Sequence, residues 1–274
     1  MSRKRVVIKI GSSLLTHLRG QLDERRMARF VQEAADAEFD GAEVVLVSSG
    51  AIASGVGELR WPRRPTELAR KQAAAAVGQV RLMERYRHYF SRRGVIVAQV
   101  LLTREDFASS KRYYNARATL LELMKSQVIP IINENDTVAV DEIRLGDNDT
   151  LAALVAIKVE ADLLILLTDV DGLMTCHPDQ GKGELIPVVE RVTPKIEALA
   201  DGRAGSRGTG GMITKLRAAR LCSAHGIPVV IASGHKPGVL RRIINGEPEG
   251  TLFKSRHRPR KISKPIDKLL TNAL

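Results

Sequence analysis

The chain has 274 residues, 44% of them hydrophobic, which is enough for one large α/β domain or two closely packed lobes and excludes disorder of the whole chain. Its net charge is +12, but residues 254–274 hold seven Lys or Arg against one acid, so half of the excess sits in the tail. Such a tail attracts polyanions, yet it lacks the interleaved aromatics of a base-stacking surface, so nucleic-acid binding is not the expected function.

The charged start Met1-Ser2-Arg3-Lys4-Arg5 leads directly into a strand-like run at 6–10 that ends Lys9-Ile10-Gly11-Ser12-Ser13. This is no signal-peptide core, and no apolar run approaches the roughly 18 residues of a membrane span, so a cytoplasmic protein without membrane contact is expected. A one-sided stripe of Met27, Phe30, Val31 and Ala34 marks a helix ending near Gly41. The next strand, 44–47, ends Ser48-Ser49-Gly50-Ala51. Trp61 falls in a proline-punctuated loop and reads as packing or interface, and a long helix over about 66–93 stops at Gly94.

Strand 95–102 follows, and then strand 128–132, which closes on Asn133-Glu134-Asn135-Asp136. After a short loop, Gly146-Asp147-Asn148-Asp149 opens the helical pattern of 151–156. Asn and Asp make turns and caps, but two such clusters so close together mark a site. Strand 163–167 ends Thr168-Asp169, and strand 228–232 ends Ser233-Gly234. Between them Gly205, Gly208, Gly210 and Gly211 feed a helix carrying Lys215, Leu216, Ala219 and Cys222. This loop is suited to cradling phosphates, although it lacks the Gly-Lys-Ser/Thr order of a Walker A motif.

Strands alternating with helices predict an αβα sandwich around a mostly parallel open sheet, whose ligands lie beyond the carboxyl ends of the strands. Cys176 and Cys222 lack metal-type or disulfide-framework spacing, and His17, His88, His177, His225, His235 and His257 show no ligand spacing, so no protein-held metal is expected. Ser48-Ser49 is no nucleophile elbow, since Gly-x-Ser-x-Gly is absent.

Together these motifs resemble the amino acid kinase family over about residues 4–255. The resemblance rests on Ile8-Lys9-Ile10-Gly11-Ser12-Ser13, Ser48-Ser49-Gly50-Ala51, Ile132-Asn133-Glu134-Asn135-Asp136, Gly146-Asp147-Asn148-Asp149, Leu167-Thr168-Asp169 and Gly208-Thr209-Gly210-Gly211-Met212-Ile213-Thr214-Lys215. Members acting on acetylglutamate, aspartate, carbamate or UMP share the Lys and Gly elements. The Asn-Glu-Asn-Asp and Gly-Asp-Asn-Asp segments resemble the members that phosphorylate L-glutamate, the first step of proline biosynthesis.

The resemblance implies a kinase domain over 1–257, with a substrate lobe over about 1–160 and an ATP lobe over about 161–257, followed by a basic tail at 258–274. Many glutamate-phosphorylating members continue into a PUA-type domain, which is not expected here. By similarity Ser49, Gly50, Ala51, Asn133, Asp136, Asp147 and Asn148 surround glutamate. Lys9, Gly11, Thr168, Asp169, Thr209, Gly210, Gly211, Met212, Ile213, Thr214 and Lys215 surround ATP, which carries Mg2+ on its phosphates. Lys9 and Lys215 flank the transferring group, and Asp149 sits between them. Proline is the implied feedback inhibitor and a homo-oligomer, dimer or tetramer, the implied assembly. The chemistry fits: a carboxylate already ionised at neutral pH needs no strong base, so positioning and charge neutralisation carry the reaction.

Overall fold

The computed structural model describes residues 3–17, 21–139, 147–176, 183–200 and 211–255. In chain order the elements are β1 (Arg5–Ile10), α1 (Ser12–Leu15), α2 (Glu24–Phe39), β2 (Glu43–Ser48), α3 (Ala51–Glu58), α4 (Leu68–Ser91), β3 (Ile96–Leu102), α5 (Glu105–Ala108), α6 (Ser110–Lys125) and β4 (Val128–Glu134). The second half adds α7 (Asn148–Lys158), β5 (Leu163–Thr168), β6 (Val188–Val189), α8 (Pro194–Ala198), α9 (Met212–Ala224), β7 (Val229–Ser233), α10 (Val239–Ile244) and β8 (Thr251–Phe253).

One sheet of eight strands runs in the order β3-β4-β2-β1-β5-β7-β8-β6. Pairing is parallel from β3 to β7, and only β7 and β8 meet antiparallel. The central strands are continuous apolar runs because both faces are covered. On one face Val7, Val45, Val47, Leu164, Leu166 and Ile231 pack with the apolar residues of α7 and α9. On the other, Val6, Ile8, Ile10, Val44, Leu46 and Ile165 pack with Phe30 of α2 and Tyr86 and Phe90 of α4. The strand alternation that sends Val7 to the α7 and α9 face sends Lys9 there as well.

From β1 the chain turns to one side for β2, β3 and β4, and later to the other for β5 and β7. The crevice at the carboxyl ends of β1, β2 and β5 is therefore a topological switch point, the place where open α/β sheets bind ligands. Helix α4 is two residues shorter at each end than the pattern predicts, and Gly94 behind it has φ +70°, the left-handed stop expected of glycine. The short strands β6 and β8 are additions to the predicted set. Among the described residues no helix is long and apolar enough to cross a membrane.

Candidate active site

The ends of β1, β2, β4 and β5 and the starts of α3, α7 and α9 meet in the crevice. Lys9, near the end of β1, places Nζ 2.7 Å from Asp149 Oδ1, and Lys215, in the first turn of α9, places Nζ 3.0 Å from Asp149 Oδ2. Asp149 has no exposed surface, while Lys9 and Lys215 are 7% and 5% exposed. The Thr214 hydroxyl lies 2.7 Å from Asp149 Oδ2 and 2.8 Å from the Gly211 carbonyl, one proton between two acceptors. Burial alone would raise the Asp149 carboxyl, but the two ammonium groups and the Thr214 hydroxyl outweigh it and hold the group well below the usual carboxylate range.

The charge count decides what this cluster can do. One carboxylate in contact with two ammonium groups leaves the cluster with an excess of positive charge in a nearly dry place, which Asp147, acting on Lys9 from further away and occupied in capping α7, offsets only in part. Such a charge is costly unless an anion arrives. Helices α3 and α9 begin at Gly50 and Gly211 with no side-chain cap, so their first amides keep hydrogen-bonding capacity for ligand oxygens. Both oxygens of Asp149 are engaged by cations, Oδ1 by Lys9 and Oδ2 by Lys215. Among the described residues no three His, Cys, Asp or Glu gather as a metal site.

A second, amide-rich cluster adjoins the first through the consecutive residues Asn148 and Asp149. Asn148 Nδ2 lies 2.7 Å from Ser49 Oγ, 3.0 Å from Asn133 Oδ1 and 3.2 Å from the Ser48 carbonyl. Asp147 caps α7: its Oδ1 accepts from the Thr150 amide at 2.7 Å and its Oδ2 from the Thr150 hydroxyl at 3.2 Å. Burial first, and the Asp149 charge second, raise the Asp147 carboxyl above its ordinary value.

The loop into α3 turns at Gly50, whose φ of +105° few other residues adopt. Helix α3 is then pressed against α4 so closely that a Cβ on Gly78 would lie 1.8 Å from the Ala51 carbonyl oxygen. Position 78 thus sets the depth at which Ser49, Gly50 and Ala51 stand.

Among the sequence-predicted residues, Lys9, Asp149, Thr214 and Lys215 form the charged cluster, and Ser49, Asn133 and Asn148 form the amide cluster. Gly11 is the N-cap of α1, with a Cβ there 3.8 Å from Lys9 Nζ. Met212 and Ile213 start α9. Asp136 stands half-buried in the turn after β4, and Ala51 opens α3. Thr168 is buried at the end of β5, with its hydroxyl 3.1 Å from the exposed Asp169 carboxylate. Thr209, Gly210, Gly146 and the tail lie outside the described residues.

Sequence reasoning missed Gln79 and Tyr86 of α4, which reach Asn133 at 3.0 Å and Ser48 at 2.9 Å. A glutamine and a hydroxyl on the helix face that also carries Ala75 and Leu82 were the available signal.

Fold and site together define a phosphotransferase-like α/β protein, with a buried cationic anion site beside a small polar pocket. The chain belongs to the amino acid kinase family, whose model matches residues 4–233. It is 53% identical over 254 residues to a glutamate 5-kinase of Moorella thermoacetica, spanning 92% of this chain and 67% of that one. It is 51% identical over 252 residues to a glutamate 5-kinase of Symbiobacterium thermophilum, spanning 91% of this chain and 95% of that one. A UMP kinase from Bacillus anthracis superposes with a TM-score of 0.62 over 93% of this chain and 97% of its own at 17% identity, a likeness of fold.

Proposed function

We propose that the protein is a glutamate 5-kinase, moving the γ-phosphoryl group of ATP to the side-chain carboxylate of L-glutamate in the first step of proline biosynthesis. The observation that carries the reading is the buried Lys9–Asp149–Lys215 cluster, in which two ammonium groups share one carboxylate. The relatives named glutamate 5-kinase supply the substrate.

The carboxylate oxygen attacks the γ-phosphorus, the bond to the β-phosphate oxygen breaks, and ADP leaves. The nucleophile is ionised well below neutral pH, so no group need take a proton. What opposes the reaction is the approach of two anions. Lys9 and Lys215 offset that repulsion, and Asp149 sets the separation and direction of the two ammonium groups, so that they meet charge on the transferring oxygens without reorganising. Magnesium held by the phosphates of ATP would add to this neutralisation.

Ser49, Gly50, Ala51, Asn133, Asp136, Asp147 and Asn148 line the glutamate side. Gly11, Thr168, Asp169, Gly211, Met212, Ile213 and Thr214 line the nucleotide side, and the family resemblance assigns Thr209 and Gly210, outside the described residues, to ATP as well. The division into a substrate lobe over about 1–160 and an ATP lobe over about 161–257, a homo-oligomeric state and a cytoplasmic location belong to the same reading. The test is ADP release with glutamate, acetylglutamate, aspartate, carbamate and UMP in turn. Glutamate should dominate, and a clear preference for any other acceptor overturns the assignment.

Proline shares the α-carboxylate and α-nitrogen of glutamate but has no side-chain carboxylate, so it fills the same pocket without accepting a phosphoryl group. Its inhibition should recede as glutamate rises. Inhibition undiminished at saturating glutamate requires a separate site.

A further inference from the structure

Helix α4 carries Gln72, Gln79 and Tyr86 at seven-residue spacing. Each such step, about two turns, returns a side chain to nearly the same face about 10.5 Å further along. Each of the three meets a different segment of the chain. Gln72 Nε2 donates to the Ala139 carbonyl at 3.2 Å, Gln79 Oε1 accepts from Asn133 Nδ2 at 3.0 Å, and the Tyr86 hydroxyl shares a 2.9 Å hydrogen bond with Ser48 Oγ. Gln79 is 9% exposed, and its Nε2 is buried with no hydrogen-bond partner among the described residues. A buried amide left half-satisfied costs stability, and this one stands directly behind the amide cluster of the site.

The direction of the amide chain follows from groups that can act in only one way. The Glu134 backbone N–H can only donate, and it points at Asn133 Oδ1 at 2.9 Å. Asn133 Nδ2 must therefore face Gln79, whose oxygen accepts. Asn133 Oδ1 also receives Asn148 Nδ2, and the Ser48 carbonyl, which can only accept, draws the same nitrogen. Asn148 is thereby held with its nitrogen toward the protein. Its Oδ1, which has no partner among the described residues, is left as an acceptor for a ligand.

We propose that Gln79 is a positioning residue for the amino-acid substrate: by clamping Asn133 it holds Asn148 in the one orientation that presents Oδ1 to the α-ammonium group of glutamate. The inference rests on the glutamate reading given above. Without the Gln79 oxygen, the 3% exposed Asn133 amide turns to seek another acceptor for Nδ2 and competes with Asn148 for Ser48 and Ser49.

Steady-state kinetics of the full chain test this with Gln79→Met, which keeps the volume and removes the acceptor, and Gln79→Glu, which keeps an acceptor. Gln79→Met should raise KM for glutamate about 10- to 100-fold, the scale of one hydrogen bond to a charged group, with KM for ATP and kcat within about threefold of the parent. Gln79→Glu should keep KM for glutamate within about threefold, and in an Asn148→Ala background Gln79→Met should add less than about threefold.

If the parent turns over no glutamate, the activity reading fails and takes this inference with it. If the parent is active and Gln79→Met leaves KM for glutamate unchanged, lowers kcat alone, or is matched by Gln79→Glu, this inference alone is overturned. Thermal melts check folding. Should Gln79→Met not fold, Gln79→Asn, too short to reach Asn133, takes its place with the same expected result.

Discussion

The two ends of helix α7 bury charge in opposite ways. At the amino end Asp149 is fully buried between two ammonium groups and a hydroxyl. At the carboxyl end Lys158 is equally buried, but its ammonium meets only the Asp106 and Tyr113 carbonyls, at 3.1 and 3.4 Å, and the ring faces of Phe107 and Tyr113, each 4.3 Å from Nζ. The first charge is pinned by opposite charges, so its environment drives the carboxyl pKa down. The second has no ion-pair partner among the described residues, and burial lowers its pKa from the ordinary 10.5 to about 8, with the Asp106 charge opposing. One end holds surplus positive charge against a crevice that can receive an anion; the other holds it against the core, where nothing can reach it. Burial of charge therefore marks function here only where the charge is both organised and accessible to a ligand.

Breaking the pinned end should produce the largest effect. Asp149→Asn leaves two ammonium groups facing each other without their counter-charge, and removing one partner of a buried ion pair costs about 3–5 kcal/mol. The stabilisation from Asp149 is present above its ordinary pKa and is lost as pH falls through its lower folded value. Denaturant melts should therefore show parent and variant converging in strong acid. Turnover should fall more than KM for glutamate rises, since the carboxylate acts on the transition state through the lysines. A large rise in KM with turnover intact contradicts that division. Lys215→Ala removes one preorganised charge and should lower kcat about 10²–10³-fold. Near-parental turnover eliminates Lys215 from the chemistry.

How much of this contrast was legible in the sequence depends on distance along the chain. The central strands were readable because a strand covered on both faces is a plain apolar run, as in the fully buried Leu163–Thr168. Strands β6 and β8, of two and three residues, offer no run to read. Asp149 stood out because acids and amides crowd a helix start, and Lys9 because it closes a buried strand. That the two lysines share one carboxylate was expected from the family resemblance, since Lys9 and Lys215 are distant in sequence and no periodicity links them. Lys158 reads as an ordinary basic residue in a last helical turn, and only the packing of α5 and α6 over it encloses it. The close passage of Gly78 over Ala51 is likewise a three-dimensional fact, since a glycine within an alanine-rich helix gives no hint of what it touches.

Sharpening the unpinned end gives a smaller effect of opposite sign. Replacing a buried charge with an apolar side chain of similar length is neutral to stabilising by about 1–4 kcal/mol, and Lys158→Met should fall in that range at pH 7. Between pH 8 and 10.5 the unfolded chain keeps the lysine proton and the folded chain has released it, so parental stability rises across that window. The advantage of the variant should shrink over the same window. An advantage unchanged at pH 10.5 places its origin in packing rather than charge.

The smallest effect belongs to Asp147, which lies two residues from Asp149 and has the opposite tendency. Burial and the Asp149 charge raise its carboxyl pKa above the ordinary 3.8, although Lys9 and the Thr150 amide pull the other way. A raised folded pKa means that the folded state holds the proton more tightly than the unfolded chain. Parental stability from this group is therefore greatest in acid and is lost as pH rises through the raised value, leaving a constant penalty above it. Asn is as good an N-cap as Asp and keeps an oxygen for the Thr150 amide, so Asp147→Asn removes the penalty without removing the cap. The variant should match or exceed the parent by a few tenths of a kcal/mol at pH 7, the scale of one charge at a helix amino end, and lose that advantage by pH 3. Paired urea melts at the two pH values read the difference directly. If Asp147→Asn is destabilising at pH 7 and neutral at pH 3, the Asp147 charge is favourable in place, and it groups with Asp149 as a carboxylate held by the lysines rather than one strained by its neighbour.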